Sequence, residues 1–250
     1  MSFNERLQPS ETPPAVPTKD MVNDELSFAD LMASSIHDMK NSLNLQVSAL
    51  EKIARQCRDR GDVTAFGELS QVIYQANHMN LGLMALLSLY KLGNAAYPID
   101  MDQHNVSDVI EESVLHNQFM MQSKGIAVSV DCASDCFWYM DKELVKGVLL
   151  NALNNAYQHA RDKIHIVAKQ LDQHLELRVE DDGPGFPATM VRSGDADNDV
   201  GVNFSTGSTG LGLHFARQAA HLHKNGGSSG HLRVENGGTF GGGCFVLTLP

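Results

Sequence analysis

Val179-Glu180-Asp181-Asp182-Gly183-Pro184-Gly185-Phe186 is the stretch on which the reading of this chain turns. Apolar residues alternate into it from Leu175, as in a half-buried strand, and Asp-Gly-Pro-Gly then breaks the pattern. The strand delivers Asp181 into a turn whose glycines let the backbone approach a ligand closely. A carboxylate so placed can accept a hydrogen bond from the exocyclic amine of a nucleobase. An ordinary Asp-Gly turn uses the same residues, so the stretch gains meaning from what surrounds it.

Downstream, a polar, Gly-rich run from 183 to 210 ends in Gly207-Ser208-Thr209-Gly210-Leu211-Gly212-Leu213, which opens a helix running to His221. Glycines ahead of a helix N-terminus leave backbone N–H groups facing a phosphate chain. Upstream, a helix from Leu144 to about Ala160 carries Leu149-Leu150-Asn151-Ala152-Leu153-Asn154-Asn155-Ala156. Asn151 and Asn155, four apart, share a face. Their amide oxygens suit a hard cation held beside nucleotide phosphates. Asparagine is a mediocre helix former, so three in the five residues 151–155 call for a reason.

Around these motifs the pattern predicts strands at 126–130, 163–169, 175–180, 231–235 and 244–249, and a further helix from Asn105 to about Lys124. The fold class is α+β: helices on one face of a mixed sheet in a layered sandwich. Before Pro98 the organisation differs. Met32, Ile36, Met39, Leu43, Gln46, Leu50, Ile53 and Cys57 alternate four and three apart, a heptad seam with Gln46 as its one polar member. Arg58 to Asp62 interrupts it, and Leu69, Val72, Ala76, Met79, Leu83, Leu86 and Tyr90 form a second seam that Gly93-Asn94 ends. Two long helices with a short link make an antiparallel hairpin. Alone it leaves apolar surface wet, so two copies are expected to pair as a homodimeric four-helix bundle. The first helix is expected to begin near Ser27, a plausible N-cap. The division predicted is a disordered tail over 1–26, rich in proline, a hairpin over 27–95 and the sandwich over 96–250.

On the first helix lies Ser35-Ile36-His37-Asp38-Met39-Lys40-Asn41-Ser42-Leu43. His37 follows seam residue Ile36, which sets it at the flank of the seam where it can be exposed; Asn41 lies one turn on, on the same side. A helical histidine taken alone is commonly a surface or packing residue.

Composition narrows the class. The chain has 250 residues, enough for two compact units, and a net charge of −11 that disfavours a nucleic-acid surface. No run of eighteen apolar residues spans a bilayer and no secretion signal opens the chain, so a cytoplasmic location is expected. Cys57, Cys132, Cys136 and Cys244 are scattered and read as free thiols.

Taken in order, His37, then Asn151 and Asn155, then Asp181-x-Gly183-x-Gly185, then Thr209-Gly210-x-Gly212, the chain resembles the sensor histidine kinases of two-component systems over roughly residues 27–250. These are that family's H, N, G1 and G2 boxes, and Phe204 stands where an F box would. The resemblance implies a HisKA-like dimerisation and phosphotransfer hairpin followed by a Bergerat-fold (GHKL) ATP-binding domain with a lid at about 186–208. It implies ATP and Mg²⁺, with His37, Asp38 and Asn41 catalytic. Asn151, Asn155, Asp181, Gly183, Gly185, Thr209, Gly210, Leu211 and Gly212 would bind the nucleotide, and Asn151 and Asn155 the metal.

The partners implied are a response-regulator receiver domain, a second copy of the chain and a separate sensory protein. An amide at 151, where related ATPases carry a glutamate base, favours a kinase whose nucleophile is an imidazole over a hydrolase. Asp38-x-x-Asn41 resembles the pattern of kinases that also dephosphorylate their regulator. Residues next to each other on a helix do not face each other, so the role of Asp38 rests on the resemblance. Gln158 departs from the family's usual Lys or Arg. That departure leaves open a histidine phosphotransferase with a non-catalytic ATP-like domain; a Bergerat ATPase or serine kinase is a third reading.

Overall fold

The computed structural model describes residues 28–93, 98–192 and 210–250. Helices α1 (Phe28–Asp59) and α2 (Val63–Gly93) form the antiparallel hairpin. Gly61, at φ +76°, supplies the left-handed residue of the turn between them. Asp62 then caps α2 by accepting from the Ala65 N–H at 3.0 Å. Ser27 and Asn94 lie outside the described residues.

The two seams do not each face one way. Ile36, Ala54 and Val47 on α1 and Ile73 and Ala76 on α2 are buried, whereas Met39, Ile53, Val72, Met79 and Leu86 are roughly half exposed. Residues three and four apart flank a stripe rather than sharing a line. One edge of each stripe meets the other helix of the hairpin, and the other edge is left to solvent.

The rest is a sandwich of β1 (Asp102–Asn105), α3 (Val106–Lys124), β2 (Ala127–Asp131), β3 (Phe137–Met140), α4 (Lys142–His159), β4 (Lys163–Leu171), β5 (His174–Asp181), α5 (Ala188–Arg192), α6 (Leu211–Leu222), β6 (Lys224–Asn225), β7 (Ser228–Ser229), β8 (His231–Gly237) and β9 (Gly242–Leu249). The main sheet runs β2-β4-β5-β9-β8, with β2 and β4 parallel and the other pairs antiparallel. The strands predicted from alternation are all present. The β1–β3 ribbon and the two-residue β6 and β7 are additions that such short segments do not announce.

Alternation along the strands sets the two faces of the sheet. Leu175, Leu177 and Val179 of β5 and Phe245, Leu247 and Leu249 of β9 pack beneath α3, α4 and α6 with Ile164, Ile166, Leu149, Leu153 and Phe215. On the opposite face Arg178 bridges Glu180 at 2.9 Å and Glu235 at 2.6 Å, and Arg233 bridges Glu176 at 2.8 Å. Burial pushes the Glu180 carboxyl up, but the Thr239 N–H and the Arg178 guanidinium outweigh it and hold it below the usual carboxylate range.

Caps fix the helices that matter for the site. Asp141 accepts from the Leu144 N–H at 3.0 Å to start α4. At its other end Lys124 donates to the carbonyls of Tyr157 (2.6 Å) and Ala160 (3.2 Å), a cation on the negative pole of the helix. Asp182 closes the turn that follows, accepting from the N–H groups of Arg161, Asp162 and Lys163 at 2.8 to 3.3 Å. Burial raises the Asp182 carboxyl, but the Asp162 hydrogen bond and these backbone donors hold it below the ordinary aspartate value.

The hairpin packs on the sandwich through α2. Tyr74 lies 5.1 Å from Tyr157 between ring centroids, Phe66 6.2 Å from Phe119, and His78 Nδ1 is 3.1 Å from Asn154 Nδ2. Ala85 is buried within the sandwich core, and Leu89 packs against it. No helix among the described residues is long and apolar enough to cross a membrane.

Two measurements check these caps. Lys124→Met should lower the free energy of unfolding by about 1 kcal/mol, read as a shift of the urea midpoint without a change of slope. A group whose folded pKa is depressed contributes stability above its unfolded pKa that is lost as pH falls through the folded one. Asp182→Ala should therefore flatten the loss of stability below about pH 4 relative to wild type.

Candidate functional site

The end of β5 and the start of β9 meet around the Asp181 carboxylate. Asp181 is buried, and its Oδ1 accepts from the N–H of Gly183 at 2.7 Å and of Gly243 at 3.2 Å. The side chain is thus locked at the strand end by its own glycine turn. A Cβ on Gly243 would lie 2.7 Å from Asp181 Oδ2 and 3.1 Å from the Phe186 ring. The absence of a side chain at 243 therefore lets the backbone of β9 lie directly against a carboxylate oxygen and an aromatic ring. Gly242 is equally constrained, since its Cβ would meet the Asp181 carbonyl oxygen at 2.3 Å. Gly183 would meet the His159 carbonyl at 2.4 Å, backbone against backbone, so the turn after β5 presses directly on the end of α4.

Gly185 has φ +82°, a conformation glycine adopts without strain. Gly241 to Gly243 were not singled out from sequence. The signal was available in a glycine run that directly precedes a predicted strand, where it has no reason to stand unless something approaches the backbone.

The second half of the site is the start of α6. Gly210 is its N-cap, at φ +63° and with no side-chain cap, so the first N–H groups of α6 are not tied up by a capping side chain. Asn151 Nδ2 donates to the Gly212 carbonyl at 3.2 Å, and a Cβ on Gly212 would meet Asn151 Oδ1 at 2.5 Å. The asparagine of α4 and the glycine of α6 are therefore in contact, as expected for two motifs serving one ligand. Asn155 is half-buried one turn further along α4. Asn154, between them, is buried against His78 and serves the hairpin contact instead. Thr209 and Phe204 lie outside the described residues, and only 186–192 of the expected lid are described, with α5 within them.

His37 is exposed on α1, and its Nδ1 lies 3.3 Å from Asn41 Nδ2 and 3.6 Å from Asp38 Oδ1. Asp38 therefore reaches the imidazole although it is the next residue, because both side chains lean along the exposed flank. Asn80 donates to Asn44 Oδ1 at 2.8 Å and fixes the register of the hairpin. That antiparallel register puts His37 level with α2 near Leu86 to Ser88, between Ala85 and Leu89, both packed on the sandwich core. α2 also packs along α6, the helix that begins at the glycine motif.

Comparison with known proteins agrees with this geometry. Residues 140–250 match the family model described as histidine kinase-, DNA gyrase B-, and HSP90-like ATPase. The virulence sensor histidine kinase PhoQ of Salmonella typhimurium is 23% identical over 185 residues, covering 74% of this chain and 38% of that protein. The sensor-like histidine kinase SenX3 of Mycobacterium tuberculosis is 25% identical over 232 residues, 90% of this chain and 54% of that protein. The chain thus spans about half the length of these relatives or less. A solved structure of the Acinetobacter baumannii histidine kinase AdeS shares the fold at a TM-score of 0.55 and 18% identity, covering 81% of this chain and 94% of that one. The strand-end aspartate, its glycine turns and the asparagine–glycine contact between α4 and α6 thus all lie within residues 140–250, the region that matches the histidine kinase-, DNA gyrase B-, and HSP90-like ATPase model, behind a helical hairpin in a chain similar to sensor histidine kinases.

Proposed function

We propose that this chain is a histidine autokinase that moves the γ-phosphoryl group of ATP to His37 and then to an aspartate of a response-regulator receiver domain. The observation that carries this reading is that α2 packs along α6, while its residues Ala85 and Leu89, level with His37 in the hairpin register, join the sandwich core. It puts the helix that carries His37 in a hairpin packed on the helix whose N-terminus, with Asn151, forms one side of the site.

The residues fit the ligand. The Asp181 Oδ2, which accepts neither of the two glycine N–H bonds, suits a purine whose exocyclic amine donates to it. The uncapped N–H groups following Gly210 suit phosphate oxygens. Asn151 and Asn155 would hold Mg²⁺, which when bound neutralises charge on the phosphoryl group in transfer. This chain's own residues do the rest. Attack uses the Nε2 lone pair of His37 while the proton sits on Nδ1, and the Asp38 carboxylate at 3.6 Å favours that tautomer. An N–P bond forms, the bond to the ADP oxygen breaks, and the Nδ1 proton leaves to Asp38 or solvent. Asn41 acts in the opposite sense: its amide, donating to Nδ1, selects the tautomer whose Nε2 lone pair is used up. In the reverse function the same amide would orient a water toward the regulator's aspartyl phosphate. Use of ATP would put the nucleotide site of this chain on the cytoplasmic side.

The exposed edge of the hairpin supports a homodimer. Met39, Gln46 and Ile53 on α1 and Val72, Met79 and Leu86 on α2 recur every seven residues and are exposed. A second hairpin laid on this stripe completes a four-helix bundle.

Incubation with γ-labelled ATP and Mg²⁺ tests the kinase. Label that is lost in acid, stable in base and absent from His37→Ala is expected, with ADP binding by that variant unchanged. Label on serine, or label retained in His37→Ala, would refute the reading. Asn41→Ala should keep autophosphorylation but lose most of its activity toward a phosphorylated receiver domain, measured as phosphate release. Ile53→Glu with Met79→Glu should convert the dimer to monomer in sedimentation at micromolar concentration; an unchanged dimer would remove this stripe from the interface.

A further inference from the structure

The turn that follows Asp181 is fastened from outside by a residue that no motif contains. Asn236 stands on β8, and the alternation that turns Leu232 and Val234 toward the helices turns it the same way. Its Oδ1 accepts from the Phe186 N–H at 2.6 Å, and its Nδ2 donates to the Phe186 carbonyl at 2.8 Å. One planar amide thus satisfies both backbone groups of a single residue, as a neighbouring strand would. The approach is close enough to require glycine beside it: a Cβ on Gly185 would lie 2.7 Å from Asn236 Oδ1. No other short side chain offers a donor and an acceptor on one rigid plane, since aspartate lacks the donor and serine cannot span both groups.

The consequence falls on the ring of Phe186. It packs against the sandwich core and sits 3.1 Å from the Cβ position of Gly243, a position that also meets Asp181 Oδ2, so ring and carboxylate stand side by side. With its backbone held at both polar groups, the Cα–Cβ bond that carries the ring has a fixed direction. Released, the backbone of Phe186 can rotate and carry the ring away from Asp181. We propose that Asn236 is a positioning residue for the nucleobase: it holds Phe186 so that the ring forms the wall of the space beside Asp181 that adenine enters. This rests on the reading of Asp181 as the base acceptor.

The test is a double-mutant cycle on the full chain. ADP binding is measured by calorimetry for wild type, Asn236→Ala, Phe186→Ala and the double variant, and KM for ATP and kcat are measured from His37 labelling. Asn236→Ala should weaken ADP about tenfold and raise KM for ATP by a similar factor, with kcat at saturating ATP within about twofold. In the Phe186→Ala background the same change should have almost no further effect. Asn236→Asp, which keeps the acceptor for the Phe186 N–H and loses the donor, should fall between. Thermal unfolding without nucleotide should change little, because Asn236 is exposed. Binding by Asn236→Ala within twofold of wild type, or equal losses in both backgrounds, would overturn the proposal. A wild-type chain that binds no ADP would overturn the reading of Asp181 and this proposal with it.

Discussion

A carboxylate buried at the end of a strand, and bonded there to the N–H groups of two glycines, is the constraint around which the sandwich is arranged. Asp181 is held by Gly183 and Gly243. The first bond makes β5 turn at once; the second ties that turn to β9, its neighbour in the sheet. An aspartate buried in this way is costly unless its oxygens are met by donors. Here the donors are backbone, so the acid can be fixed without a lysine or arginine that would neutralise it. An acceptor pinned in place is what recognition of an amine requires.

The adjacent acid shows how environment divides labour. Asp182 is one residue on, yet it faces the turn after α4 and spends its oxygens on Arg161, Asp162 and Lys163. With Lys124 on the carbonyls at the end of α4, it fixes the exit of the helix that carries Asn151 and Asn155. The asparagines therefore stand on a rigid element anchored at both ends, by Asp141 at the start and by Lys124 and Asp182 at the finish. Catalytic geometry is better served by such an element than by a loop. The opposite face of the sheet uses charge for another end: Arg178 and Arg233, spread among three glutamates, cover Val246 and Cys244 where no helix does.

The hairpin and the sandwich meet through apolar packing, Val47, Ala54, Ile73 and Ala76 with Phe119 and Met120 and Ala85 in the sandwich core, with aromatic and amide contacts beside it. Tyr74 against Tyr157 and His78 against Asn154 each add an interaction of modest strength. Asn154 lies between the two asparagines of the site on the same helix. Any shift of α4 along α2 therefore moves Asn151 and Asn155 with it, which couples the position of the hairpin to the site.

Period and punctuation alone determined much of this protein. Alternation at 163–169 and 175–180 foretold β4 and β5, the heptads foretold the hairpin, and Gly125 and Asn105 mark the ends of α3 as glycine and asparagine caps do. His37, Asn151, Asp181 and Gly212 were legible because each breaks a local rule: a polar residue beside a seam, amides on a helix, an acid at a strand end, glycines opening a helix. Tertiary structure alone decided the rest. That Asp182 closes the turn after α4, which edge of each heptad stripe is buried, and that Asn236 reaches Phe186 across fifty residues all depend on which element lies beside which. Local sequence fixes the direction in which a side chain leaves its own element. It does not fix what stands opposite, because sheet order and helix packing come from burying the whole apolar surface at once.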